Sequence, residues 1–193
     1  MRKDAIRIIR EEHTALAALL RTLRLLVENG PASQPQRFFE VVRSILFYID
    51  EFPERLHHPK ESELLFPPFD ARRPELSAVI SRLEADHKSG ESRVRELQHL
   101  LAGWEVIGAT RRAPFVAALD EYLGFYLKHM QIEEAELLPV AGRVLSAEDR
   151  HALDVCFNTE RDPLAAGQWD LEYEALFSRI VQKAPAPLGI ADE

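Results

Sequence analysis

The chain has 193 residues, a length that suits one domain with a short appendage and is enough to bury a sizeable core. With 46% hydrophobic and 29% charged residues it has a globular balance, which excludes wholesale disorder and fibrous structure. Lys and Arg number 24 against 32 Asp and Glu, and the net charge of -8 repels phosphate backbones and anionic bilayers, so neither nucleic acid nor a membrane is an expected partner.

Further exclusions come from single residue types. The one cysteine, Cys156, rules out an internal disulfide framework and any Cys-rich metal or cluster site, leaving histidine and carboxylate as the available ligands. A reducing, cytoplasmic setting is expected. Arg2, Lys3, Arg7, Arg10, Glu11 and Glu12 break up the apolar residues of 1–20, unlike a signal peptide, and no stretch approaches the roughly 18 apolar residues of a membrane span.

In chain order, Ile6, Ile9, Leu16, Leu20, Leu23 and Val27 recur at three-and-four spacing and predict a first amphipathic helix ended by Gly30-Pro31. Phe38, Val41, Ile45, Ile49, Phe52 and Leu56 predict a second, reaching about Leu65 and stopped by Phe66-Pro67-Pro68. Pro53 and Pro59 lie inside it, and each removes an amide donor, so a kink or bulge is expected near His57 and His58. Leu76, Ile80, Leu83, Val94, Leu97, Leu101 and Trp104 predict a third helix ending before Gly108. Phe115, Leu119, Tyr122, Phe125, Ile132 and Leu137 predict a fourth, ending at Pro139.

Four such helices without strand-like alternation predict an all-α protein, an up-and-down antiparallel four-helix bundle over 1–145. Ser146-Ala147-Glu148-Asp149 signals a further helix start, and Leu171, Leu176, Phe177 and Ile180 form another amphipathic stretch. Residues 146–193 therefore read as one or two accessory helices, with an extended tail from Lys183.

Each bundle helix carries a histidine on its apolar stripe: His13, His57, His87 and His129. One inward imidazole is ordinarily a core residue with satisfied nitrogens. Four, one per helix, are a costly polar set unless a shared metal uses their lone pairs. Glu61 and Glu133 follow His57 and His129 by four residues and share their helix faces, where an unpaired glutamate would be expensive. A ferritin-like di-iron scheme uses Glu-x-x-His instead, present at Glu54/His57 and Glu84/His87, but it leaves His13 and His129 without purpose. The blandest alternative is a core whose histidines bond one another. His99 and His151 lack inward carboxylate partners and read as surface. Tyr48, Tyr122, Tyr126, Trp104 and Trp169 read as packing residues, one tyrosine being a candidate hydrogen-bond donor to a metal ligand, and Cys156 as a small buried hydrophobe.

Arg10-Glu-Glu-His13, His57-His-Pro-Lys-Glu61 followed by Leu64-Leu-Phe-Pro67, Glu84-Ala-Asp-His87, and His129-Met-Gln-Ile-Glu133 followed by Leu137-Leu-Pro139 resemble, in order and spacing, the hemerythrin-like HHE cation-binding family over about residues 5–140. The resemblance implies a four-helix bundle with a non-haem di-iron centre, His13, His57, His87 and His129 as terminal ligands and Glu61 and Glu133 as bridges. Manganese or zinc would also suit the donor set. Oxygen-carrying hemerythrins resemble His-x-x-x-His on the third helix and a bridging aspartate five after the last histidine. Here stand His87-x-x-x-Glu91 and the shorter His129 to Glu133 spacing, which argues against reversible oxygen carriage. Glu91 is the expected additional ligand, and His58 is its rival. The expected small-molecule partner is oxygen, nitric oxide or peroxide. The use is binding or sensing, with a small oxidoreductase next and iron storage last.

Overall fold

A computed structural model describes residues 3–166. The expectations for Trp169, for the stretch from Leu171 to Ile180 and for the tail from Lys183 lie outside the described residues. Within them the protein is all-α, with no strand.

The first helix, Ala5–Asn29, starts where the Asp4 carboxylate accepts the Arg7 amide and stops at Gly30, whose φ of 69° suits a residue without a side chain. The second runs over 35–72 and changes character along its length. It is α-helical over Pro35–Ile49, π-helical over Asp50–His57, α-helical over His58–Lys60, π-helical over Glu61–Leu65 and α-helical again over Phe66–Arg72. The expected bulge is therefore two wide turns around the prolines. His58 donates its amide to the Pro53 carbonyl and Phe66 to that of Glu61, five residues back instead of four. The helix also outlasts the expected stop at Pro67-Pro68. Both prolines fall in the first turn after the last wide turn, where missing amides cost least, and the helix continues to Arg72.

The third helix, Ser77–Ile107, is uninterrupted. The fourth is α-helical over Arg112–Ile132 and π-helical over Glu133–Leu137. The first helix packs on the second and fourth, and the third likewise on the second and fourth. Two apolar clusters fill the interior. One joins Leu16 to Val27, Phe38 to Phe52, Val94 to Trp104 and Phe115 to Met130; the other joins Ile8, Ile9, Leu65, Phe66, Phe69, Leu83, Ile132 and Leu137. On every long helix the histidine lies between them, so a polar layer crosses an otherwise apolar core.

Ser146 and Asp149 form a reciprocal cap on the helix Ala147–Thr159, as expected at this start. That helix packs on the first and second helices, with Leu153 and Phe157 buried in the second cluster. Asp154 accepts the Ala5 amide at 2.7 Å, and Asn158 exchanges hydrogen bonds with the Lys3 backbone. Residues on the two sides of the expected 145–146 boundary thus share one core. No described helix is long and apolar enough to cross a membrane.

Candidate metal centre

His13 comes from the first helix, His57, His58 and Glu61 from the second, His87 from the third, and His129 and Glu133 from the fourth. All are buried, and Glu61 and Glu133 are wholly out of solvent. Ligand-type atoms of His58, His87 and His129 lie within 4.8 Å of one another, as do those of Glu61, His87, His129 and Glu133, and those of His13, His57 and Glu61.

The two carboxylates tie the halves together. Glu61 sets Oε1 3.1 Å from His57 Nε2 and Oε2 3.6 Å from His87 Nε2. Glu133 sets Oε2 3.3 Å from His13 Nε2 and Oε1 3.5 Å from His129 Nε2. Each carboxylate therefore offers one oxygen to either half. These approaches are close but poorly aligned: His57 Nε2 and all four oxygens of Glu61 and Glu133 are buried with no hydrogen-bond partner. His87 Nε2 and His129 Nε2 converge to 3.2 Å. Atoms so placed suit a cation, which asks for lone pairs aimed at a common point and not for donor–acceptor geometry.

Four of the five imidazoles are hydrogen-bonded from behind, and His129 Nδ1 has no hydrogen-bond partner. His57 Nδ1 lies 2.6 Å from Glu12 Oε2, His13 Nδ1 3.1 Å from Glu134 Oε1, His58 Nδ1 3.0 Å from Glu54 Oε2, and His87 Nδ1 3.0 Å from Ser62 Oγ. Asp86 Oδ2 stands 3.5 Å from His129 Nδ1. Such partners fix ring orientation and tautomer, leaving Nε2 for the metal. At His58 the Tyr126 hydroxyl also approaches Nε2, at 2.9 Å.

In the metal-free protein the halves differ in protonation. Burial opposes a charged His13, but Glu133 and Glu134 outweigh it and raise its pKa to about 9. His57 is raised well above its ordinary value, Glu61 and Glu12 overcoming burial. On the other side burial and neighbouring imidazoles push His58 well down and His87 to about 3. Burial raises the Glu54 carboxyl to about 8 despite the Tyr122 hydroxyl, which donates to it at 3.3 Å. His13 and His57 thus hold protons that a metal must displace, while His58 and His87 are already neutral.

Glu91 falls elsewhere. Its side chain is 47% exposed and pairs with Arg95, one turn along the same helix. Gly90, not Glu91, faces the interior, and His58 occupies the inner position instead. Glu84 is likewise outside the cluster, so the Glu-x-x-His arrangement does not form. His99 and His151 are exposed, Trp104 is buried, and Cys156 is only half-buried. The three tyrosines are buried, and each hydroxyl has a polar partner. Sequence reasoning missed Glu12, Ser62, Asp86 and Glu134, and offered Glu54 only within the Glu-x-x-His scheme. Glu12, Asp86 and Glu134 carried a signal, since each directly adjoins a histidine or glutamate of the cluster.

The hemerythrin HHE cation binding domain matches residues 4–141. The chain belongs to that family. No curated protein matches it as a relative. The matched span includes all four long helices and every member of the cluster, so family and geometry agree on a cation-binding site. It ends before the helix Ala147–Thr159.

Proposed function

We propose that this chain is a hemerythrin-type di-iron protein of the cell interior, an up-and-down antiparallel bundle that binds or responds to oxygen, nitric oxide or peroxide. In this reading His13 and His57 would hold one ion, His58, His87 and His129 the other, and Glu61 and Glu133 would offer a carboxylate oxygen to each. The observation that carries it is the set of buried polar atoms on His57, Glu61 and Glu133 that converge without an aligned hydrogen-bond partner. Imidazole with a few carboxylates suits iron, and also manganese or zinc. When bound, the metal pair supplies positions for a small ligand and electrons to exchange with it.

The protein's residues supply the rest. Leu16, Pro53 and Met130 wall an apolar cavity that reaches His57, His58 and His129, with about 10 Å³ free for the centre of a water-sized molecule. That space is about one water in size, so a larger substrate is excluded and a small ligand would have to share the position of a metal-bound water. A second reading, a small oxidoreductase consuming peroxide or nitric oxide, is favoured by the Tyr126–His58–Glu54 hydrogen-bond chain; in it His58 stays off the metal and holds or passes a proton at the cluster's edge.

The test is iron analysis of the full chain reconstituted with ferrous iron, followed by optical spectra of the reduced form after oxygen, nitric oxide or peroxide. About two irons per chain are expected, falling in His57→Ala and His129→Ala. Full iron content in both variants overturns the ligand set. Sustained peroxide or nitric oxide consumption with an added reductant selects the oxidoreductase.

A further inference from the structure

We propose that Glu12, Asp162 and residues 160–166 complete the outer wall of the His13–His57 half of the centre, so that metal binding there and docking of this C-terminal segment form one coupled equilibrium. The inference rests on the di-metal reading and adds residues beyond the span the family matches. Glu12 is the hinge of the argument. It is buried, and one of its oxygens faces His57 Nδ1 at 2.6 Å while the other accepts the Asp162 amide at 3.1 Å.

Asp162 is itself held on both sides. Its Oδ1 accepts the Leu164 and Ala165 amides at 2.8 and 3.3 Å, and the buried Tyr48 hydroxyl donates to Oδ2. Adjacent contacts fasten the same stretch. Arg161 reaches Glu11 at 3.4 Å, the buried Lys60 ammonium donates to the Glu160 carbonyl, and the Phe157 ring meets the edge of His57 at 5.8 Å.

The chemistry links these contacts to the metal. His57 can offer Nε2 to a cation only as the tautomer carrying its proton on Nδ1, and the Glu12 carboxylate selects that tautomer. If 160–166 undocks, Glu12 loses a hydrogen bond on a buried charge, and its grip on the ring loosens. Conversely, a cation on His57 fixes the ring, keeps Glu12 in place and favours the docked segment. The two effects are equal by linkage.

The other half has no such dependence. His58 and His87 are steered by Glu54 and Ser62, both from the second helix, and Asp86 of the third helix stands near His129. Disturbing the C-terminal segment should therefore cost one ion of the two.

Anaerobic titration of the metal-free full chain with ferrous iron, together with hydrogen exchange at the amides of 160–166, tests this. Wild type should take about two irons, and exchange at Asp162, Leu164 and Ala165 should slow at least tenfold on loading. Glu12→Ala and Asp162→Ala should keep one tight iron and bind the second at least tenfold more weakly, with no iron-dependent slowing in Glu12→Ala. The wild-type exchange comparison holds even if a variant fails to fold. Unchanged exchange on loading overturns the coupling, as do two equally tight irons in both variants, or loss of both ions together. A wild type that takes no iron overturns the di-metal reading itself.

Discussion

Gly90→Ala should destabilise the protein, although glycine to alanine inside a helix ordinarily stabilises by about 1 kcal/mol. Gly90 lies in the long third helix against the second, and an added Cβ would sit 2.6 and 2.7 Å from the two Glu54 oxygens and 3.0 Å from its Cδ. Those distances are well inside contact, so the carboxylate must move. It cannot move freely, because it is buried between His58 Nδ1 and the Tyr122 hydroxyl. Overpacking of this kind costs about 1–3 kcal/mol, and loosening two buried hydrogen bonds adds about 1 kcal/mol each. Set against the helix-propensity gain, the net loss is about 2–4 kcal/mol. Gly103, on the same helix, has nothing within 4 Å of an added Cβ, so Gly103→Ala should gain about 1 kcal/mol. Denaturant unfolding of the metal-free variants measures both, and the expected gap is about 3–5 kcal/mol. Equal effects at the two sites would refute the claim that Glu54 is fixed against the third helix.

Burial, assisted by Glu12, raises the Asp162 carboxyl from 3.8 to about 6, against the Tyr48, Leu164 and Ala165 hydrogen bonds. Its contribution is therefore fully present below about pH 4 and lost as pH rises through 6, about 3 kcal/mol in all; Asp162→Asn should flatten that part of the stability profile of the metal-free protein. Phe157→Ala empties a fully buried ring site beside His57 and should cost about 3–5 kcal/mol in denaturant unfolding. Tyr126→Phe removes the hydroxyl on His58 Nε2 and should shift the visible spectrum of the iron-loaded protein. Glu91→Gln, on a side chain paired outward with Arg95, should change neither spectrum nor iron content.

The four histidines were legible because each interrupts an apolar stripe at helical spacing, and burial in the fold follows the stripe. What spacing could not decide was the choice between Glu91 and His58. Two adjacent residues on a regular helix point about 100° apart, so sequence favours one inward histidine at 57–58 and looks elsewhere for another donor. The wide turns before and after these residues broaden the inward face of the second helix to include Glu54, His57, His58 and Glu61, while Gly90 leaves the space that Glu54 fills. Prolines announce such a distortion but not its direction. Asp162 was invisible for another reason: it meets Glu12 across 150 residues, and no periodic pattern encodes that contact.

Magnitudes separate a metal centre from a merely self-bonded polar core. Were the histidines and glutamates only satisfying one another, their lone pairs would meet donors, as those of Glu12 and Glu54 do. Instead five atoms, His57 Nε2 and the carboxylate oxygens of Glu61 and Glu133, are buried without hydrogen bonds. At about 1–3 kcal/mol for each of these three unsatisfied groups, the layer costs about 3–9 kcal/mol, a large share of the net stability of a typical domain. The two apolar clusters have little surplus with which to offset that. Structural zinc in zinc-finger peptides binds with about 10–16 kcal/mol, more than this deficit, and a metal here would act on the very atoms that lack partners. The same atoms that make the metal-free bundle expensive therefore make the metal-bound one cohesive.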